Sequence, residues 1–270
     1  MKKVFLSLTL IMAFSIFSNN QSTFATEDKN ELTETKLNEF LLETGAPNDL
    51  LERWGYEQKL ELYNENKNDT LVFDTTETIN YEENPHTGEL IETANNQTPT
   101  MSARATITSK KLTTSHDIWT KASTGSKTKI VYANYSWNNT KRGGTKGDKL
   151  AIAVPSGWQV VANRYTCKEF QSGWPSSGYI HKASCGGKPY DLDFYGAVWN
   201  LTRTNNVWHQ GWVSLEMKRT NKNAQNKVLS KYIEDVGKST SWSVSWGPMS
   251  VGISGNKSAN QVAWDTSFTY

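Results

Sequence analysis

Apolar and polar residues alternate along much of the chain from residue 104 to residue 270. The pattern is strictest at 239–246, where tryptophan and valine alternate with serine (Trp242, Val244, Trp246; Ser241, Ser243, Ser245). Period-2 alternation places every second side chain on one face of a strand. Short alternating segments separated by turns such as Pro155-Ser156-Gly157 are typical of β-sandwiches. We therefore predict a mainly β fold, an antiparallel β-sandwich, for residues 104–270.

Residues 221–236 depart from this alternation. Their apolar residues recur at helical spacing (Ala224, Val228, Leu229, Tyr232, Ile233, Val236), and Gly237 follows where a helix C-cap glycine belongs. The pattern predicts one amphipathic helix packed against the sheet.

The N-terminal part has helical spacing too. Leu37, Phe40 and Leu41 form an apolar face that ends at Gly45-Ala46-Pro47, and two shorter helical turns follow before residue 66. We predict a small, acidic helical segment at residues 26–66. Residues 67–103 are rich in Asn, Thr and acidic side chains and have low hydrophobicity, which favours an acidic linker or pro-region.

The first 25 residues have the pattern of a signal peptide. A basic start, Met1-Lys2-Lys3, precedes an apolar run from Val4 to Phe17, and Thr23-Phe24-Ala25 fits a cleavage site. The apolar run is shorter than the roughly 20 residues that span a bilayer. We expect a secreted protein, with association to the cell wall as an open option.

Cys167 and Cys185 are the two cysteines of the chain. Outside the cell they can form a disulfide, which would close a loop rich in Gly, Ser and Pro. Zinc binding with His181 is the alternative, but no CxxC pair is present. We predict the disulfide.

The charge reverses along the chain. Residues 26–100 contain 18 Asp and Glu against 5 Lys and Arg, a net −13, whereas residues 101–270 contain 9 against 22, a net +13. Ten of the eleven tryptophans lie in the basic part. Such asymmetry suggests that the basic part contacts an anionic partner and that the acidic segment contacts and masks it.

The densest basic stretch is Lys141-Arg142-Gly143-Gly144-Thr145-Lys146-Gly147-Asp148-Lys149. Glycines free backbone N–H groups to hold an anion, although a solvated hairpin loop would have the same composition. The role that we predict for this stretch is anion binding, through four cationic side chains: Lys141, Arg142, Lys146 and Lys149.

Two further features are candidates for binding. Trp174, between Gly173 and Pro175 in the cysteine loop, is predicted to be an exposed aromatic side chain that could stack on a sugar or anchor at a membrane. Asp191 and Asp193 are a weak candidate calcium site, with a solvated strand edge or an ion pair as the favoured alternative. We expect no other metal and no cofactor.

Catalytic residues are not apparent. The four histidines, His86, His116, His181 and His209, form no HExxH or HxH motif, and the carboxylates of the basic part form no obvious catalytic pair. An enzymatic role is therefore the less favoured expectation.

One short region resembles a known group of proteins. Phe40-Leu41-Leu42-Glu43-Thr44-Gly45-Ala46-Pro47, Leu50-Leu51, Lys59 and Leu62-Tyr63 resemble an N-terminal module of uncharacterised secreted proteins from Gram-positive bacteria. The resemblance covers about 25 residues. It implies secretion and a Gram-positive origin, and it carries no catalytic residues.

Three functions compete on this basis. The leading hypothesis is a secreted, non-enzymatic binding or surface-active protein whose partner is an anionic cell-wall polymer or a membrane surface. Membrane perforation by the alternating segment 241–254 is the second hypothesis. A secreted hydrolase or nuclease acting on a polyanion is the third, and nucleic acid is the less favoured ligand.

Overall fold

The computed structural model describes residues 32–93, 111–125, 127–138, 147–172, 180–183, 185, 187–201, 208–234, 243–254 and 260–269. Three helices come first: α1 (Glu34–Glu43), α2 (Asn48–Arg53) and α3 (Tyr56–Asn66). The Thr33 hydroxyl oxygen caps α1 by accepting from the Lys36 N–H at 3.4 Å. Gly45, with φ of 87°, ends that helix in the left-handed region that favours glycine. These helices lie where the helical segment is predicted.

Strands make up most of the remaining described residues. Their bounds are β1 (Leu71–Glu83), β2 (Leu90–Thr93), β3 (Lys111–Lys121), β4 (Thr128–Asn138), β5 (Lys149–Ala153), β6 (Trp158–Ser172), β7 (Ile180–Ala183), β8 (Asp191–Asp193), β9 (Gly196–Asn200), β10 (Trp208–Arg219), β11 (Lys227–Glu234), β12 (Ser243–Gly247), β13 (Ser250–Ser254) and β14 (Asn260–Ser267).

Every strand pair is antiparallel. A seven-stranded sheet has the order β2-β1-β3-β4-β10-β6-β7, and a five-stranded sheet has the order β14-β11-β5-β9-β8. Alternate side chains of the two sheets meet in a common core that includes Val131, Trp137, Leu150, Trp199 and Val213. The predicted mainly β, antiparallel sandwich is confirmed.

The predicted acidic linker is wrong over residues 71–93. Strand β1 pairs with β3 from Leu71 to Glu82, and β2 pairs with β1, so both belong to the seven-stranded sheet. Its polar composition is misleading because polar residues of β1 have partners in the sheet: Thr76 donates to Asp117, and Asp74 pairs with Lys129. Removing this segment would delete two strands of the seven-stranded sheet.

The predicted helix over 221–236 is also wrong. Lys227–Glu234 is strand β11, in the middle of the five-stranded sheet between β14 and β5. Val228 and Tyr232 face the core, while Leu229 packs on the opposite face against another element. A strand with apolar contacts on both faces has apolar neighbours that imitate helical spacing. The predicted cap, Gly237, lies outside the described residues.

The helices cover the outer face of the seven-stranded sheet. Leu41, Leu50 and Trp54 pack there against Trp119 and Tyr132 in a second apolar cluster. Trp54 is central, because its ring centroid lies 4.9 Å from the centroids of both Trp119 and Tyr132.

Ion pairs join the acidic part to the basic part. The Lys129 ammonium, fully buried, lies 2.5 Å from Asp74, and that of Lys121 lies 3.2 Å from Asp69. The expected contact between the two parts therefore exists. The contact is formed by buried lysines inside the folded sheet, and not by a separate segment that covers the surface.

A short hairpin lies on the outer face of the five-stranded sheet. Strands β12 and β13 pair only with each other among the described strands. The apolar side chains of the hairpin pack against aliphatic side chains of the sheet (Val244, Trp246, Val251, Ile253; Ala151, Ala153, Val198, Leu229). A hydrogen bond from the Met249 N–H to the Val154 carbonyl oxygen, 3.1 Å long, connects the turn of the hairpin to the sheet.

Candidate ligand-binding groove

A groove of about 260 Å³ lies between the helices and the outer face of the seven-stranded sheet. One wall is the turn from α2 to α3, residues 53–58. The other is formed by the middle strands of the sheet: Thr113 to Ser115 on β3, Asn134 to Ser136 on β4, Phe170 on β6, and Gln210 to Trp212 on β10. We call this site the helix–sheet groove.

A buried carboxylate anchors the first wall. Asp117 on β3 is fully buried and accepts hydrogen bonds from Trp54 Nε1 at 2.8 Å and Arg53 at 3.1 Å. It also accepts from the Thr76 hydroxyl at 2.6 Å and from the Asn134 amide at 2.8 Å. A buried charge needs such partners. The four donors come from α2, β1 and β4, so Asp117 fixes the helices to the sheet.

The polar side chains of the groove are held in place by the same network. The Arg53 guanidinium also donates to Ser115 Oγ at 2.8 Å, and Gln58 donates to the Asn134 carbonyl oxygen at 2.6 Å. Asn134 in turn donates to Ser115 Oγ at 3.1 Å. Arg53 keeps about a quarter of its side chain exposed. The groove is therefore a preformed polar surface beside aromatic rings.

The aromatic side of the groove is formed by Phe170 and Trp212. Their rings stack, with centroids 5.2 Å apart and an interplanar angle of 27°. Trp212 Nε1 donates to Glu61 of α3 at 3.0 Å, and the Thr166 hydroxyl donates to the same carboxyl at 3.3 Å. Burial raises the pKa of Glu61 to about 7, although these two hydrogen bonds oppose the shift.

This arrangement provides groups that can recognise a ligand. Apolar rings next to fixed amides and hydroxyls can bind a ring-shaped ligand that has one apolar face and several hydroxyl groups. Sequence reasoning missed the groove, because its residues come from five separate segments whose meeting depends on the topology.

The predicted anion site is only partly described. Lys141, Arg142 and Lys146 lie outside the described residues, as does Trp174. Lys149 is buried at the start of β5, where its ammonium donates to the Asn200 amide oxygen at 2.5 Å and lies 4.8 Å from the centroid of the Tyr190 ring. This lysine therefore has protein partners where an anion was expected.

The weak calcium candidate has protein partners as well. Asp191 accepts from Trp246 Nε1 at 2.7 Å, and Asp193 accepts from the Tyr195 N–H at 3.0 Å. Throughout the described ranges, no group of three or more His, Cys, Asp or Glu side chains could hold a metal ion.

The cysteines form the predicted disulfide between Cys167 of β6 and Cys185, with Cα atoms 5.8 Å apart. Cys167 faces the sandwich core. The bond therefore fastens residue 185 to the inner face of the seven-stranded sheet.

Two histidines lie in the core. His116 is fully buried, its ring nitrogens 2.6 Å from Ser230 Oγ and 2.8 Å from Thr266 Oγ1, and burial lowers its pKa to about 3. His209 Nε2 lies 2.8 Å from Glu169 and 2.9 Å from the Tyr135 hydroxyl. These groups bridge strands and sheets. His86 is exposed in the turn between β1 and β2, and the side chain of His181 lies outside the described residues.

The lengths of the helices and of the hairpin strands bear on whether they could cross a membrane. Within the part of the chain that the structure describes, no helix is long and apolar enough to cross a bilayer. The arms of the alternating hairpin, β12 and β13, have five residues each, whereas a spanning strand needs about 9–11.

Comparison with known proteins does not identify a family for this chain. No protein-family model matches the chain, and no curated protein matches it. Among solved structures, the collagen-binding subdomain of the Enterococcus faecalis surface protein ACE is 13% identical, with a TM-score of 0.30, covering 50% of this chain and 84% of that one.

Two other solved structures are similar to the same extent. A pore forming protein is 8% identical with a TM-score of 0.28, covering 71% of this chain and 90% of that one. The collagen-binding domain of a Staphylococcus aureus adhesin is 10% identical with a TM-score of 0.27, covering 50% and 86%. At these scores, none of the three bears on what this chain binds or does.

Proposed function

We propose that this protein is a secreted, non-enzymatic binding protein that holds a sugar ring of an anionic wall-type polysaccharide in the helix–sheet groove. The observation that carries the proposal is the groove itself. Phe170 supplies a partly exposed apolar ring, backed by the buried Trp212 ring, and Gln210, Asn134 and Arg53 supply hydrogen-bonding groups beside it. Sugars present hydroxyl edges and apolar faces, so this combination of groups fits them.

Preorganisation supports the same proposal. The bonds of Asp117 and Gln58 hold Arg53 and Asn134 in place without a ligand. A ligand that binds here does not have to order these side chains, which reduces the entropic cost of binding.

The anionic character of the ligand rests on charge. Lys168 is exposed on β6, directly opposite Trp212 in the strand register and two residues before Phe170. It lies on the groove side of the sheet, because side chains alternate along a strand. The net +13 of residues 101–270 favours the same sign of ligand, and Lys141, Arg142 and Lys146 stay candidate contacts.

Calorimetric titration of the full chain with soluble polysaccharides tests the proposal. An anionic polymer, polygalacturonate, is compared with neutral dextran at low and high salt. We expect saturable binding of the anionic polymer that weakens with salt, because screening acts over about 8 Å at physiological ionic strength.

Two groove variants and a matched control locate the site. Phe170→Ala and Gln210→Ala are expected to weaken binding by about tenfold, equivalent to about 1.4 kcal/mol per site. Phe194→Ala, which removes an exposed phenylalanine far from the groove, should bind like the unmodified chain. Equal binding by all three variants, or no binding of either polysaccharide, would contradict the proposal.

A further inference from the structure

The helix–sheet groove continues along one row of side chains that crosses the seven-stranded sheet. In the strand register each member of the row lies directly opposite the next, in the order Asn80, Thr113, Ser136, Gln210 and Phe170. Directly opposite residues have Cβ atoms about 4.5–5.5 Å apart. The five side chains therefore form a continuous row over β1, β3, β4, β10 and β6, which we call the polar track.

The polar track lies on the face of the sheet that carries the helices. Four of its members line the groove. The fifth, Asn80, is bonded to one of these four, because its amide oxygen accepts a hydrogen bond from the Thr113 hydroxyl at 2.8 Å. Every member of the track is partly exposed. The track is therefore a partly exposed extension of the groove from β3 to β1.

The chemistry of the track changes along its length. At the β6 end Phe170 offers an apolar ring, and the exposed Lys168 lies two residues earlier on the same face of that strand. Towards β1 the track offers amide and hydroxyl groups, which are neutral. Beside Asn80 the next row holds Glu82 opposite Lys111, one charge of each sign. A ligand that fits the whole track has hydroxyl groups along its length and a negative charge at the β6 end.

The spacing of the track favours one class of extended polymer. Successive members lie on adjacent strands, which are about 4.8 Å apart. A linear chain of pyranose rings repeats at a similar distance, so each ring can meet one member, whereas an extended peptide repeats about every 3.4 Å and falls out of step. All five strands also have partners on both sides, so their backbone groups are not free to pair with a peptide strand.

We propose that the polar track binds about four consecutive rings of one linear polysaccharide chain that lies across the strands, since the intervals between its five strands span about 19 Å. One ring stacks on Phe170 with its carboxylate near Lys168. The rings that follow are held through their hydroxyl groups by the side chains from Gln210 to Asn80. This inference rests on the proposed function, to which it adds the length of the bound segment and the direction in which it runs.

Calorimetric titration of the full chain with galacturonate oligomers of increasing length tests the track. Affinity should rise about tenfold from the dimer to the tetramer, because the tetramer also reaches the β1 end of the track, and should then change little from the tetramer to the hexamer.

Asn80→Ala locates the far end of the track. This variant should weaken tetramer binding about fivefold, the effect of one net hydrogen bond, and leave dimer binding unchanged, because the dimer stays near Phe170 and Lys168. Unchanged dimer binding also shows that the variant is folded. Phe170→Ala should weaken the binding of both oligomers. The matched control, Asn223→Ala, removes an exposed asparagine side chain beyond the other end of β10 and should bind both like the unmodified chain.

The outcomes separate this inference from the proposed function. Equal affinity for the dimer and the tetramer, or tetramer binding by Asn80→Ala that matches the unmodified chain, would overturn the track and leave the groove standing. Failure of both polygalacturonate and the oligomers to bind would overturn both proposals. Capped tetraglutamate, a peptide with the same number of side-chain carboxylates as the tetramer, should bind at least about tenfold more weakly. Equal affinity for this peptide would show that the track does not select linked sugar rings.

Discussion

The two outer faces of the sandwich are covered in very different ways. The seven-stranded sheet carries three helices, which are joined to it by a cluster of large aromatic rings and by the buried Asp117 carboxylate, which accepts hydrogen bonds from Arg53 and Trp54. Among the described residues, the five-stranded sheet is covered on its outer face by the β12–β13 hairpin, which rests on Ala151, Ala153, Val198 and Leu229. Dispersion attraction grows with the number of packed atoms, so we expect the helices, which bury several large rings against the sheet, to be held more firmly than the hairpin.

This difference matters for the proposed ligand site. The helix–sheet groove depends on the helical cover, because its polar groups are positioned by bonds between the helices and the sheet. The hairpin is bonded to the other sheet through Trp246, which donates to Asp191 at 2.7 Å. Substitutions that loosen the hairpin should therefore leave the groove intact.

The largest effect is expected for Trp54→Ala. The change removes a buried ring from between Trp119 and Tyr132 and takes one donor from the buried Asp117 carboxylate. We expect a loss of about 3–5 kcal/mol in the free energy of unfolding, measured with urea. Trp246→Ala on the hairpin is the matched control and should cost less than half as much. Equal losses would refute the contrast between the two covers.

A smaller effect is expected for Gly196→Ala, which acts under the hairpin. A Cβ at this position would lie 2.2 Å from the Ile152 carbonyl oxygen and 2.5 Å from the Trp246 ring. We expect a loss of about 1–3 kcal/mol through overpacking, together with faster proteolysis of residues 243–254. Gly55→Ala has open space around its added Cβ and should change neither. Protection of the hairpin in Gly196→Ala would show that it docks without this close contact.

The smallest effect is expected for the pH dependence of stability, and it should be confined to the helices that cover the seven-stranded sheet. Burial raises the pKa of Glu61 from 4.5 to about 7, so the folded state keeps a proton that the unfolded chain releases. Its contribution to stability is complete below pH 4.5, falls as the pH rises to 7 and is constant above. The groups that influence it are Trp212, Thr166, Glu65 and Lys168.

The comparison is the free energy of unfolding of the unmodified chain and of Glu61→Gln from pH 4 to 8. We expect the variant to lack about 1–2 kcal/mol of the decline between pH 4.5 and 7. Hydrogen exchange should place that change in α3 and not in the hairpin, because residues 243–254 contain no titratable side chain. Identical pH profiles would show that Glu61 is ionised throughout.

Local pattern was sufficient for several features of the fold. Alternation at 243–254 predicted strands that β12 and β13 confirm, and the apolar spacing from Leu37 to Leu62 predicted helices that α1 to α3 form. The two cysteines predicted the disulfide that the structure contains. Each of these depends on neighbours in the chain or on a single chemical partner.

The structures of two segments were predicted wrongly, because their composition reflects contacts with residues far away in the chain. Strand β1 contains Asp74, which pairs with Lys129 of β4, and Thr76, which donates to Asp117 of β3. Strand β11 has Leu229 on its outer face because the hairpin covers it. Neither partner is visible in the sequence near these residues, so β1 resembled a linker and β11 a helix.

The amino-acid sequence by itself determined the class of fold, the helical start, the disulfide and the opposite charges of the two parts. Only the tertiary structure decided that those parts share one sheet, that a groove forms where Trp212, Phe170 and Arg53 meet, and that one row of side chains continues this groove across the sheet. The physical reason is the separation along the chain of the residues that determine each property. Periodicity and charge are properties of consecutive residues, whereas burial and sites arise from strand order and sheet packing, which bring residues far apart in the chain together.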